Sequence, residues 1–553
     1  MKTRDATLVM DEIEKRVDAS SGDLNERNRR YVEFYLQTMG KDRNSSKAKP
    51  YGAKVNSQHT HTQILTYCAF VQSGLFPTYP YVYANMQTPY QELNTRATEE
   101  FSARLTKMNF YRKTYLWLRM SCMTGLGIVR MGFNDNGPSM HLVHPGNVMW
   151  DQTAENLRRD CQWLIEINKS KTHSMLLAEA KAGLYDMAAV EKVLNNDPER
   201  DVIDSMRNAR SGGIREYPDN TDKPLTIHIQ TTPDYIAEVH YESRTVLSIK
   251  GNPFGYINYY DLVARPELFE IEGYSIPELG ADLQDEIDTL RRQRIDVRSL
   301  AANPMFRLVR GSLDPFSIVS APGAVYNVNN PDDLTQLPVM DNSASLQSEE
   351  GLLTSDFDRL VGVMPQTRGE AGAASMKATT ASIIHGNTNV RFAVDINLLL
   401  DYPMRDFLAD FVRWSELVET PLRITQPEWQ MIRQLAGAGV ITLAPTIESY
   451  VGNAVEKFNM LQQFLANIMP TGLLQAPGVA EIAKDMLALV QVQSPERITQ
   501  YITQPPPVVP AQSQQPEQMD GQPGRRAALS EELARGVAPM QMGGGGIGEV
   551  PPA

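Results

Sequence analysis

The stretch Ser275 to Gly386 constrains the fold most. It reads helix, short β-rich insert, helix, glycine- and alanine-rich loop, long helix. Two helices with a small unit between them make an arm that leaves a body and returns to it, which is a poor frame for an enclosed active site. The first helix opens at Ser275-Ile276-Pro277-Glu278, a capping box in which Ser275 accepts from an orphan amide and Glu278 reaches back to the cap. Pro277 sits in the first turn, where its missing N–H costs nothing. Ile276, Leu279, Leu283, Ile287, Leu290, Val297 and Ala301 recur at helical spacing, interrupted by Arg294, so one face is apolar. Asp282, Asp285, Glu286 and Asp288 precede Arg291, Arg292, Arg294 and Arg298, an order that suits the helix dipole. It also lets Asp288 pair with Arg291 or Arg292 one turn on. Asn303-Pro304 ends the helix, because proline disfavours α conformation in the residue before it.

Between Met305 and Met340 the pattern changes. Phe306, Leu308, Ile318, Val319, Val325 and Val328 lie in short runs broken by Gly311, Pro315, Pro322-Gly323 and Asn330-Pro331, which is strand and turn chemistry. A second helix follows, with Leu346, Leu353, Phe357 and Leu360 on one stripe. The loop from Gly362 to Ser375 is too rich in small residues to pack firmly. A third helix starts near Lys377 and runs towards Leu417, and Pro403 kinks or ends it.

Upstream, Asp5 to Met39, Asn56 to Leu75, Thr95 to Met123 and Ser170 to Asn195 read as helices. Met140 to Trp150 and Gln162 to Ile167 read as strands. Leu225 to Arg265 alternates apolar and polar residues and turns near Glu242, as an antiparallel β segment does. Downstream, Pro427 to Ala436, Ile447 to Ile468 and Val479 to Val490 read as helices. From Pro505 the chain is rich in proline, glutamine and glycine and cannot bury enough apolar surface to fold alone. Ala527 to Arg535 can form one short helix there.

No Walker-type glycine loop occurs, and Gly125-Leu126-Gly127 lacks the third glycine of a dinucleotide fingerprint, so it marks a helix-to-strand turn. His141 and His144 point to opposite faces of a strand and lack a third ligand, and His59 and His61 lack partners too. No nucleophile stands beside an identifiable base. No catalytic residue, metal or cofactor is expected. Cys68, Cys122 and Cys161 have no metal-ligand spacing and read as free thiols. No apolar run is long enough to span a bilayer, and Met1 to Thr7 lacks the apolar core of a secretory leader, so synthesis in the cytosol is expected. The net charge of −13 argues against a protein that grips DNA by neutralising phosphates. It is compatible with a sleeve through which a polyanion slides. The charged segment from Glu26 through Lys54 reads either as a contact for DNA, scaffold or shell, or as a solvated or inter-subunit surface.

These residues, in this order, resemble the portal (head-to-tail connector) proteins of tailed bacteriophages. Gly273-Tyr274-Ser275 through Asn303-Pro304 is similar to the family's first stem helix. The Ala321 to Val325 turn lies where its clip has a Pro-Gly turn. Lys377 to Ser382 is similar to the Thr-Ala-rich start of its long helix. Tyr111 to Gly132 resembles the helix-then-strand opening of its wing. The resemblance covers roughly residues 30 to 420 and rests on the order of these signals. It implies an α+β fold: a mixed α/β wing (1–272), stem helix one (273–304), a small β-containing clip (305–342) and stem helix two (343–361). A tunnel loop (362–376), a long helix returning to the wing (377–420), a helical crown (421–504) and a disordered tail (505–553) complete it.

The function implied is a homo-oligomeric ring, usually a dodecamer, at the unique capsid vertex of a virion assembled in the bacterial cytoplasm. Double-stranded DNA passes through its axial channel in packaging and ejection, without enzymatic chemistry and without membrane insertion. The implied partners are the major capsid protein, scaffold, terminase large subunit and tail adaptor. The implied tunnel-loop residues facing DNA are Gly362, Arg368, Gly369, Gly372, Ser375 and Lys377, with so little charge that contact is weak and independent of base sequence. The implied stem contacts between subunits are Leu279, Leu283, Ile287, Leu290, Arg291 and Phe357. The implied clip docking residues are Arg307, Arg310, Asp314, Pro322, Asp332 and Asp333. Two other classes remain open: another virion structural protein, such as a tail adaptor or internal head protein, and a DNA-processing hydrolase with a long helical arm.

Overall fold

The computed structural model describes residues 5–39, 52–86 (save 54 and 78), 90–134, 137–168, 171–194, 225–303, 305–310, 325–363 (save 326, 329 and 339), 392–445 (save 393) and 462. The chain divides into two units, Met1–Val451 and Gly452–Ala553, and the first holds all the described residues but 462. It is a mixed α+β assembly with several small sheets. The helices expected over Ile447 to Ile468 (apart from residue 462) and Val479 to Val490, and the expected tail, lie outside the described residues.

Helix α1 (Ala6–Thr38) begins where the Asp5 carboxylate accepts from the Thr7 amide at 3.1 Å. Its apolar face, Val9, Met10, Ile13, Val17 and Leu24, is buried on a sheet that holds Met149, Ile165, Tyr235, Ala237 and Val239. That sheet has the strand order β4 (Val148–Trp150), β5 (Leu164–Asn168), β6 (Ile227–Thr231), β7 (Tyr235–His240), β8 (Thr245–Gly251), antiparallel throughout. Leu176, Val190 and Val193, from α5 (His173–Lys181) and α6 (Met187–Leu194), pack with Ile227 and Leu247 in a separate cluster. Strand alternation thus sends one set of side chains to α1 and the other to α5 and α6.

The largest core gathers α2 (His59–Leu75), β1 (Val82–Asn85), α3 (Asn94–Lys107), α4 (Phe110–Thr124) and a three-stranded sheet. The order in that sheet is β3 (Gly137–Val143), β2 (Gly127–Asn134), β9 (Tyr259–Leu262). Two turns meet beside it. Gly125 closes α4 in the left-handed region at φ 84°, and its carbonyl accepts from the Gly273 amide at 3.3 Å. A Cβ on Gly125 would lie 2.1 Å from the Gly273 carbonyl oxygen, and one on Gly273 would lie 2.0 Å from the Arg265 carbonyl oxygen. The helix-to-strand turn expected at Gly125 is therefore also the seat of the turn that leads into the helix capped by Ser275.

The helices expected to form a stem are α7 (Ile276–Leu279), α8 (Ala281–Ala302) and α9 (Ser343–Val361). The capping box at Ser275 forms as expected, the Ser275 hydroxyl accepting from the Glu278 amide at 3.1 Å. Between α8 and α9, β10 (Phe306–Leu308) pairs antiparallel with β11 (Leu334–Gln336). Gly280 lies against Phe357 and Arg291 against Glu350, so α8 and α9 run antiparallel. The chain next returns through helical residues 394–399, a π turn at Leu400–Met404 and α10 (Arg405–Ser415). Tyr402 there has extended backbone (φ −155°, ψ 134°), so the helix kinks at Tyr402-Pro403, as the proline requires.

Several readings need correction. The helix expected over Thr95 to Met123 is two, parted by Asn109 at φ 59°, a conformation that asparagine tolerates. Met140 to Trp150 is two strands in different sheets, separated by a tight turn at Pro145–Asn147. Ser170 to Asn195 is two helices with Gly183 at φ 80° between them. Leu360 points to solvent, and Val361 fills the core in its place. A helix does form over the expected Pro427 to Ala436, α11 (Gln426–Gly437), and it buries Trp429 and Ile432 in the largest core.

The glycine contact yields a test. G125A and G273A each push a methyl group into backbone that cannot yield, so each should lower stability by roughly 1–3 kcal/mol or more. A urea titration checks this, and an unchanged midpoint in both variants would refute the packing described.

Candidate functional site

The site built by the arm has a root, an outer end and two loop posts. At the root, Phe357 is fully buried, edge-on to His59 with ring centroids 5.0 Å apart, and its ring occupies the space a side chain on Gly280 would need. Next to it, buried Asp358 accepts from His59 Nε2 at 3.0 Å and from the Gln63 side-chain amide. On α8, Gln284 Oε1 accepts from the Thr60 amide (3.1 Å) and hydroxyl (2.8 Å), and its Nε2 donates to the Ser57 carbonyl at 3.1 Å. Asp288 accepts from the Ser57 amide at 2.6 Å. Burial pushes the Asp288 carboxyl up, against those bonds. Further out, Asp296 accepts from the Ala53 amide at 2.8 Å, and Arg292 donates to the Val55 carbonyl at 3.4 Å. The segment 53–63 is thus a strap that runs along α8 and crosses to α9.

The pairing expected between Asp288 and Arg291 gives way to this strap. Arg291 instead donates through Nε to Glu350 at 2.9 Å, and Arg294 Nη2 lies 3.0 Å from the same carboxylate. Arg294, which interrupts the apolar stripe, therefore ties α8 to α9. A polar group that fixes two packed helices in one register is the best-attested use of a buried ion pair.

Of the expected stem residues, Ile287, Leu290 and Phe357 are buried within this one chain, and Leu283 packs against the same core. Leu279 and Arg291 are half-buried. Apolar residues that one copy leaves in water lie further out at Leu300 (43% exposed), Met305 (51%) and Met340 (89%), and midway along α9 at Leu352 (67%). Of the expected clip residues, Arg307, Arg310 and Asp332 are exposed. Asp333 is turned inward, where its carboxylate accepts from the Asn330 amide at 3.0 Å and closes a turn. Asp314 and Pro322 lie outside the described residues, as do Arg368, Gly369, Gly372, Ser375 and Lys377 of the expected tunnel loop.

Gly362 itself is described. It ends α9 at φ 82°, and its amide donates to the Asp358 carbonyl at 2.8 Å. The next residue, Val363, is fully buried in the largest core, and so is Phe392 beyond the undescribed span 364–391. The span thus leaves and re-enters a fixed body. Behind Phe392, Tyr67 donates to Asp395 at 3.0 Å.

The returning helix is clamped as well. Arg158 grips Asp410 through Nε at 2.8 Å and Nη2 at 3.3 Å, and Arg159 grips Asp406 at 2.8 and 3.1 Å. Two neighbouring arginines thus hold two acids one helical turn apart. Arg158 also stacks on Tyr256, 3.3 Å from the ring centroid, and Tyr260 donates to Asp410 at 2.7 Å. Beneath the kink, Asp261 is wholly buried and accepts from the Leu157 amide at 2.9 Å and from the Tyr402 hydroxyl. Burial lifts its carboxyl to about 6, although both bonds oppose the shift.

Among the described residues no group of three metal-ligating side chains converges, and no helix is long and apolar enough to cross a membrane. His141 bonds Ser139 at 3.0 Å, and His144 accepts from the Gly146 amide at 3.0 Å. Cys68 and Cys122 face each other with sulfurs 3.8 Å apart, buried and reduced. Against known proteins, the chain matches no family model and no curated sequence.

The buried Asp261 makes stability depend on pH. Its folded pKa lies above the ordinary aspartate value, so the contribution is full below about pH 4 and is lost as pH rises through about 6. D261N keeps the acceptor oxygen but cannot ionise. The wild type should therefore lose on the order of 2–3 kcal/mol relative to D261N between pH 4 and pH 7. Chemical denaturation at both pH values measures this, and a constant difference would contradict it.

Proposed function

We propose that this chain is the subunit of a portal-type ring, a non-enzymatic conduit for double-stranded DNA at a capsid vertex. The observation that carries the reading is the set of apolar side chains that the arm exposes. A single copy roots the arm firmly in its own core, yet leaves Leu300, Met305, Leu352 and Met340 in water. Exposed apolar side chains along a helix pair and its tip offer an interaction surface, and copies arranged about an axis cover each other's arms. The rooted, antiparallel helix pair with a small β unit at its tip supports the stem and clip assignments.

The two buried posts, Val363 and Phe392, support the tunnel-loop assignment, because a loop anchored at both ends can meet a passing duplex without unfolding its base. The net charge of −13 suits a wall that does not hold its cargo. On this reading the clip offers Arg307, Arg310 and Asp332 to the terminase and later to a tail adaptor. Capsid protein and scaffold meet other faces of the ring.

Ile287 and Phe357 are unsuitable for testing assembly, since removing either empties the chain's own core. Leu300 and Leu352 are suitable. The double variant L300D/L352D should melt as the wild type does but fail to form rings, because assembly would bury unpaired carboxylates. In sedimentation velocity the wild type should run as a large closed oligomer and the variant as a small species. Equal sedimentation of the two would overturn the stem contact.

A further inference from the structure

A cavity of about 510 Å³ opens between three helices, within the size range of small-ligand sites. The last turns of α1 form one side, the start of α2 a second, and α4 a third. Its walls divide by chemistry. Leu116, Met120 and Met123 from α4 supply an apolar surface, and methionine adapts its shape to what it touches. Arg119, on the same face of α4, joins His61 and Gln58 from the start of α2 in supplying the polar part of the lining. No acid lines the cavity among the described residues.

Arg119 is half-buried and, among the described residues, has neither a hydrogen bond nor an ion pair, so its guanidinium donors are unspent. His61 Nδ1 is buried and lacks a partner as well. Burial and the nearby Arg119 charge both push the His61 ring towards its neutral form. A neutral ring can offer one N–H to an acceptor without adding charge. Glu272, the acid bonded to the wall residue Tyr31, is already held by Arg27 and Arg30.

We propose that this cavity binds a small organic monoanion, its carboxylate forked onto Arg119 with His61 and Gln58 beside it, and its apolar body against Leu116, Met120 and Met123. A planar guanidinium that is partly withdrawn from water and unpaired matches a carboxylate bidentately. Among the described lining residues Arg119 carries the single positive charge, which sets the ligand's charge at one. Gln58 and His61 belong to the strap whose neighbours Ser57 and Thr60 hold the stem root, so the occupant touches the segment on which the arm depends. The proposal does not rest on the DNA-conduit reading.

The test is fluorine NMR titration of the full chain with 4-(trifluoromethyl)benzoate and with its neutral amide. The expected result is saturable binding of the benzoate with a Kd of about 1 mM or tighter, and binding of the amide weaker by about tenfold or more. R119Q should fold and melt as the wild type does, since Arg119 makes no internal bond, and should bind benzoate and amide alike. Absence of saturable benzoate binding would overturn the proposal. So would equal binding of the two probes by the wild type, or a carboxylate preference that survives in R119Q.

Discussion

The arm's direction depends on one contact, the ring of Phe357 against the bare backbone of Gly280. Any side chain at 280 would displace that ring, and with it the crossing of α8 and α9. Around this contact, Asp358, Gln284 and Asp288 are withdrawn from water and satisfied by the strap 57–63. Buried polar groups without partners are costly, so each of these side chains accepts only one placement of the strap. The apolar contact sets where the helices cross, and the polar contacts set how the arm is held to the body. The meeting of Gly125 with Gly273 sets where it departs.

A second constraint governs the return of the chain. Arg158 and Arg159 hold α10 by two forked ion pairs, and Tyr402, bonded to Asp261, fixes the kink just before it. The span between Val363 and Phe392 is therefore anchored on both sides by side chains of the largest core. The proposed function needs fixed ends at these two residues, since a ring that stays closed around a moving duplex must hold the base of whatever meets it.

Local signals were legible in the sequence. The Ser275 capping box, the stop at Asn303-Pro304, the alternation across Ile227 to Leu247 and the kink at Pro403 each follow from residues within a few positions of each other. The strap did not show, because Ser57 bonds Asp288 and His59 bonds Asp358 over separations in sequence that no periodicity records. For the same reason the paired charges on α8 suggested bonds within the helix, while the acid that claimed Arg291 stood on α9. The break at Asn109 carried only a weak mark, an asparagine in an otherwise helical run. The exposed leucines were hidden in another way: Leu352 and Leu360 belong to an apolar count that does not say which side of the helix another chain will cover.

The central claim is that copies of this chain close into a ring around a channel. Electron microscopy of the purified protein, with the rotational symmetry of its end-on views counted, tests that most directly. The account predicts closed rings, twelve-fold in the usual portal form, with an axial channel wide enough for a DNA duplex. Particles without rotational symmetry, or a monomer that persists at every concentration, would contradict it.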